Sequence, residues 1–420
     1  MLLALETIEH IASYIPSYAT LAALLDVLPE RTPAMQHVRT WGQGIRGTLS
    51  RCTFSGLTMS LDGYHLRYYN TDAAPIVAYL AAAAPFVPRV SVTISNLAEW
   101  LRYVDAISHL VTSVELAPMI DFIDAAQSPP NAGATLRDAL IACPRLHALR
   151  VTYTDWDDFD GDFANIDAVL AGMAYLPRLV NVDIDGCAFA VSQLATSSVN
   201  GLIAWLARCP AKSLRLVHCN LAMHDDGRDG LGPALASAIS QSRTLEELEI
   251  KNVPYINSFG LDGQPLPSTL RVFRWTNSDT PRDESSESLA RTLCTSLTSA
   301  TRLERLRLAA NSALCPVTFI NQLAAVLPSM THLTCLQLKG IGISDATPLV
   351  EVLPSLPALS TLRFKMALIE DLGAMALSAA LPHCTALRAL ELRGVYNESS
   401  AMALRTAVQS MPTDWLYRQF

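Results

Sequence analysis

One apolar phrase recurs along this chain and restricts what it can fold into. It reads L-x-x-L-x-L, with Val, Ile, Phe or Trp able to stand for Leu. Clear copies are Leu146/Leu149/Val151, Leu179/Val182/Ile184, Leu245/Leu248/Ile250 and Leu270/Phe273/Trp275. Four more follow at Leu303/Leu306/Leu308, Leu333/Leu336/Leu338, Leu359/Leu362/Phe364 and Leu387/Leu390/Leu392. A weaker copy, Leu214 and Leu216, has Ala211 at its first position, and two candidates lie upstream at Val87/Val90/Val92 and Val111/Val114/Leu116. The first positions 87, 111, 146, 179, 211, 245, 270, 303, 333, 359 and 387 advance by 24 to 35 residues. Self-similarity at such a period marks a stacked repeat array, because one unit cannot bury its own apolar face.

Each unit predicts one short strand. The two apolar residues of L-x-L share a face, and the residue between them points the other way. The first Leu packs beneath the turn leading into the strand. Cys187 and Cys219 lie three residues after the last apolar position of their units, as does Asn311, while Asn252 is one residue off. A small polar or thiol side chain there bonds loop backbone as the chain leaves the strand. Between strands lie helical spacings such as Leu231/Leu235/Ala238/Ile239 and Leu372/Met375/Ala376/Ala379. Pairs such as Cys143-Pro144, Leu327-Pro328, Leu356-Pro357 and Leu381-Pro382 stop the helix before the next strand. The expected fold is therefore an α/β solenoid over residues 46–420, a curved horseshoe with parallel strands inside and helices outside. Units longer than 30 residues, those starting at 111, 146, 179, 211 and 270, are expected to carry bulging loops.

The phrase resembles that of leucine-rich repeat proteins. The stretch from Leu368 to Leu381, with Asp371 near a helix start and Gly373 at a small-residue position, is similar to the helix of their ribonuclease-inhibitor-like branch. Asp226-Gly227 through Ile239 is a looser version. The resemblance covers roughly residues 80 to 412.

Residues 1–45 differ. Ile8, Ile11, Ala12 and Ile15 share a helical face that ends at Pro16, and Leu21, Leu24, Leu25 and Leu28 form a second apolar run. Two such short helices need something to bury against. Leu3, Glu6, Ile8, Ile11, Ser13, Tyr14, Ile15 and Pro16 resemble the opening of an F-box, which docks onto the adaptor subunit of cullin–RING ubiquitin ligases. The resemblance implies that Leu3, Ile8, Ile11, Ile15, Leu21 and Leu24 contact that adaptor. Ala4 stands where the family has proline, and no third helix is evident between Pro29 and Trp41. The alternative is an N-terminal cap that shields the open end of the repeat core, which solenoids require.

No catalytic pattern is found. The nine histidines belong to no H-E-x-x-H motif, and no G-x-S-x-G, Walker or G-x-G-x-x-G sequence occurs. His147, His218 and His332 fall within strand motifs and read as solvated or hydrogen-bonded surface histidines. The acidic run Asp155 to Asp162 fails as a calcium loop, because either register puts a Phe where an oxygen ligand or glycine is needed. It reads as a solvated loop, with a protein contact through Trp156 and Phe159 as the second choice. His224-Asp225-Asp226 also reads as loop. A repeat-built GTPase activator would lend an exposed Arg, but the acidic tail of that group is missing. The expectation is a non-enzyme with no cofactor and no metal.

Composition bounds the partners. Half of the residues are apolar and the net charge is −8, so neither nucleic acid nor an anionic membrane is attracted in general. The nine cysteines form no CxxC pair and read as reduced thiols in a cytosolic protein. No basic lead precedes the N-terminal apolar residues, and the Ala73–Pro88 stretch is too short and proline-broken to span a bilayer. A cytoplasmic or nuclear protein is expected.

The outward residues of the strands are predictable from the alternation. In the middle units they are Asn181, Asp183 and Asp185, then Glu247, Glu249 and Lys251. Later units give Arg274, Arg305, Arg307, Gln337, Lys339, Arg363, Lys365, Glu391 and Arg393. The inner face is thus expected to turn from acidic to basic. A basic stripe of Arg274, Arg305, Arg307, Lys339, Arg363, Lys365 and Arg393 would receive an acidic or phosphorylated protein surface. The opposing view is that these charges only keep strand edges soluble. The best reading is a protein-recognition scaffold acting as an F-box-type substrate receptor of a ubiquitin ligase; the alternative is a repeat interaction protein with no ligase role.

Overall fold

The computed structural model describes residues 57–61, 90–94, 100–101, 104–105, 108–109, 111–116, 132–152, 164–186, 192–221, 231–253, 260–277, 285–310, 316–340, 346–365, 371–393, 398–409 and 416–419. The F-box-like residues Leu3, Ile8, Ile11, Ile15, Leu21 and Leu24, the boundary expected at 45/46, the acidic run after Asp155, Cys187 and Asn311 lie outside the described residues.

The chain forms two compact units, Met1–Val182 and Asp183–Phe420. The first holds β1 (Leu57–Leu61), β2 (Val90–Ile94), β3 (Val111–Leu116), α1 (Ala132–Ile141), β4 (Ala148–Thr152) and α2 (Ala164–Ala171). Its strands are parallel neighbours in chain order. The boundary between the units falls inside β5 (Asn181–Asp185), which heads the sheet of the second. There follow β6 (Ser192–Leu194), α3 (Thr196–Arg208), β7 (Ser213–Val217), β8 (Cys219–Leu221), α4 (Leu231–Gln241), β9 (Glu247–Lys251) and β10 (Val272–Asn277). The remainder is α5 (Ser285–Leu297), β11 (Arg305–Ala310), α6 (Pro316–Val326), β12 (Cys335–Lys339), α7 (Thr347–Val352), β13 (Thr361–Lys365), α8 (Asp371–Ala380), β14 (Ala389–Leu392), α9 (Glu398–Gln409) and β15 (Leu416–Gln419). In the second unit the sheet order is β5-β7-β9-β10-β11-β12-β13-β14-β15, with β6 and β8 as a separate parallel pair. This is an α/β solenoid, the class the repeats predict.

All eleven expected units supply a strand. From the unit at 111 onward their L-x-L residues are buried, and the register stacks them: Leu214, Leu248, Phe273, Leu306, Leu336, Leu362 and Leu390 pair in one row across adjacent strands. Each such side chain contributes roughly 1.5–3 kcal/mol by leaving water. Ala211, the substitute that weakens the fifth unit in the sequence, is fully buried in the place of the first Leu. A second device ties unit to unit at the strand entrance. The Glu246 and Glu247 N–H groups both donate to the Lys212 carbonyl at 2.8 and 2.9 Å, and Arg271 and Val272 repeat this on Glu246. Glu304 and Arg305 do the same on Arg271, and Thr334 and Cys335 on Glu304.

Two local expectations change. The spacing Leu372/Met375/Ala379 on α8 is not its packed face: Leu372 is 72% exposed and Met375 63%, while Ala374 and Leu377 are buried. That helix packs inward through Leu377 and the small residues Gly373, Ala374 and Ala380. The Leu-Pro pairs do not simply stop the helices. Pro328 and Pro382 sit inside 3₁₀ turns, Leu327–Ser329 and Leu381–His383, that continue α6 and α8, while Leu356-Pro357 follows the end of a like turn, Leu353–Ser355, after α7. Proline suits the first turn of a helical segment because its missing N–H has no partner there anyway. Unforeseen were β1, β15 and the β6–β8 pair.

Candidate functional site

The residues between the two buried positions of each strand form the open face of the sheet. In the second unit its central row runs Asp183, Arg215, Glu249, Arg274, Arg307, Gln337, Arg363 and Glu391. Neighbours in such a row stand close enough for opposite charges to pair and like charges to repel.

From β5 to β10 the row neutralises itself. The Arg215 guanidinium donates to Asp183 Oδ1 at 2.7 Å and Asp185 Oδ2 at 2.9 Å, and lies 3.7 Å from Glu249 Oε1. Glu249 Oε2 also receives Arg274 Nη1 at 3.4 Å. Burial works against the Arg215 charge, but the hydrogen bonds and attraction of Asp183 and Asp185 outweigh it and raise its pKa above the ordinary value. The expected acidic stretch is therefore corrected: Arg215, within the weakest repeat copy, sits in its middle and engages three carboxylates. The signal was present as the residue between Leu214 and Leu216.

From β11 onward the pattern opens. Arg274 faces Arg307 directly across the β10–β11 pair, and Arg307 faces Gln337. Arg305 and Arg307 are exposed and Lys339 is half-buried. Among the described residues no carboxylate pairs with these three. At the far end Glu391, only 14% exposed in its side chain, collects Arg363 at 3.5 Å, Lys365 at 3.3 Å and Arg393 at 3.1 Å. One carboxylate facing three cations leaves positive charge over. All seven residues of the expected basic stripe thus lie at the open face or its exit; Arg274, Arg363, Lys365 and Arg393 are ion-paired, and Arg305, Arg307 and Lys339 are not.

At the strand exits Cys219 bonds backbone as its spacing suggests. Cys219 is buried with Sγ 3.2 Å from the Val217 carbonyl. His218 and Asn252 occupy the same place in successive units, both with positive φ (52° and 51°), and His218 Nδ1 lies 3.3 Å from Asn252 Nδ2. Gly186 holds this position one unit earlier, where a Cβ would come within 2.2 Å of the His218 carbonyl oxygen. Burial pushes the thiols of Cys143, Cys219 and Cys294 up to about 12 and that of Cys384 to about 11. These are packing groups held in the neutral form. Among the described residues no cluster of three His, Cys, Asp or Glu could hold a metal ion, and no helix is long and apolar enough to cross a membrane.

No known protein family and no curated protein matches the chain in sequence. Solved structures do match its fold. One of them, the crystal structure of the Rad7 and Elc1 complex in yeast, is 14% identical with a TM-score of 0.40, over 96% of this chain and 85% of that one. At those values the match does not bear on function. What fold and site define together is a repeat scaffold that carries an open charged sheet face.

Proposed function

We propose that this protein is a non-enzymatic recognition scaffold whose open sheet face, from β11 to β14, receives an acidic or phosphorylated protein surface. The observation that carries the reading is the run of cations Arg305, Arg307 and Lys339, without a carboxylate partner among the described residues, on a face where Asp183 to Arg274 is otherwise pair-neutralised. Unpaired guanidinium groups are matched in geometry to carboxylate and phosphate, and their charge speeds encounter with an anionic surface. Leu3, Ile8, Ile11, Ile15, Leu21 and Leu24 add the finer proposal, drawn from their F-box-like spacing, that the chain docks a ligase adaptor and presents its target for ubiquitin transfer.

Co-purification of the full chain with the adaptor tests that finer proposal. The wild-type chain is expected to retain the adaptor and Ile11→Asp to lose it with the repeats still folded by circular dichroism. Absence of the adaptor from the wild-type chain would leave the cap reading of the N-terminal segment. If Ile11→Asp instead loosens the repeats, its apolar face is packed on them, since burying an unpaired charge costs several kcal/mol.

A further inference from the structure

The strand-entrance edge of the second unit carries a groove of about 550 Å³, separate from the open face and lined by equivalent positions of five successive repeats. Its walls bring together Lys212, Arg243, Arg271 and Arg302 with two carboxylates, Glu246 and Glu304, and His332 closes one end. Both carboxylates are already engaged: Glu246 lies 3.6 Å from Lys212 Nζ, and Glu304 takes Arg271 at 2.7 Å. Arg243 and Arg302 are exposed and have no ion pair among the described residues. Four cations against two carboxylates leave a local excess of two positive charges in a chain whose net charge is −8.

The floor of the groove is fixed before any ligand arrives. The Lys212, Glu246 and Arg271 carbonyls each accept two N–H groups of the next repeat, and the Thr244 and Thr269 hydroxyls donate to the Ala211 and Leu245 carbonyls at 2.8 and 2.7 Å. A rigid floor lowers the ordering cost of binding. Length selects the ligand. The groove crosses the entrances of β7, β9, β10, β11 and β12, and four steps at roughly 4.8 Å make about 19 Å. That span matches about six residues of extended chain at ~3.3 Å each and exceeds a single small anion.

We infer that this edge groove is a second binding site, which takes an extended anionic peptide segment, with Arg243 and Arg302 gripping its phosphate or carboxylate groups. It goes beyond the open-face reading and uses different side chains, so each can fail alone. The test is fluorescence anisotropy on the full chain with a labelled heptapeptide carrying a phosphoserine between glutamates, beside its unphosphorylated counterpart. On an Arg305→Glu/Arg307→Glu background, which silences the open face, saturable binding is expected to persist and to weaken about tenfold or more when Arg243→Glu/Arg302→Glu is added. Preference for the phosphopeptide assigns the grip to phosphate, and equal binding assigns it to carboxylates; both uphold the site. Circular dichroism checks the variant's fold, and the milder Arg243→Gln/Arg302→Gln should still weaken binding severalfold. Absence of saturable binding on that background, or indifference to the added edge substitutions, would overturn the inference.

Discussion

The β5–β10 and β11–β12 stretches of one sheet share backbone, register and core, yet their open faces differ. In the first, Arg215 lies within reach of Asp183, Asp185 and Glu249, and Glu249 also meets Arg274. In the second, Arg305, Arg307 and Lys339 stand without a carboxylate among the described residues, and Arg307 is flanked by a like charge at Arg274. Charge used internally glues repeat to repeat and is unavailable to a partner. Charge left over contributes nothing to folding and waits for an external anion. The apolar rows beneath make no such distinction.

Core truncation gives the largest expected effect and should erase the contrast. Leu216→Ala and Leu308→Ala, equivalent fully buried positions under the two stretches, should each cost about 2–5 kcal/mol in denaturant unfolding. A large inequality would mean that the stretches differ below the surface as well. Gly186→Ala adds a methyl against the His218 carbonyl and should cost about 1–3 kcal/mol by overpacking. The surface contrast is next. Arg215→Ala removes the cation that Asp183, Asp185 and Glu249 share and should cost about 1–3 kcal/mol, whereas Arg307→Ala should stay within about 0.5 kcal/mol of wild type. Equal costs would break the comparison.

The smallest effect is on the thiols. The folded pKa near 12 of Cys143, Cys219 and Cys294 lies above an unfolded value of about 8.5, so the folded state keeps these protons longer. That stability is complete below about pH 8.5 and is lost as pH rises toward the folded value. Native alkylation at pH 8 followed by peptide mapping should leave Cys219 and Cys294 unmodified, while Cys335, which is less buried, reacts first among the described cysteines. Rapid modification of Cys219 would show that the strand exit opens in the native state.

The repeat phrase made the fold readable because L-x-L dictates both a strand and its buried face; even Ala211, a poor match, kept its place since the row above and below it held register. Helix facing was harder to read. On α8 a helix rich in small residues offers several apolar stripes, and Leu372/Met375 is the larger but outward one. The charge ladder was half legible: the outward residues followed from alternation, but which of them pair depends on register between units 25 to 34 residues apart. The edge groove left no motif, since Lys212, Arg243 and Arg302 come together only when the strand entrances are stacked.

The central claim, that unpaired cations of β11 and β12 capture an acidic surface, is met most directly by calorimetry. A glutamate-rich peptide of roughly 20 residues, enough to cross several strands, would be titrated into the wild-type chain and into Arg305→Glu/Arg307→Glu/Lys339→Glu at low and moderate salt. Saturable, salt-weakened binding by wild type and its reduction by at least about tenfold in the variant is the predicted result. No binding to wild type, or the same affinity and salt slope in both chains, would contradict it.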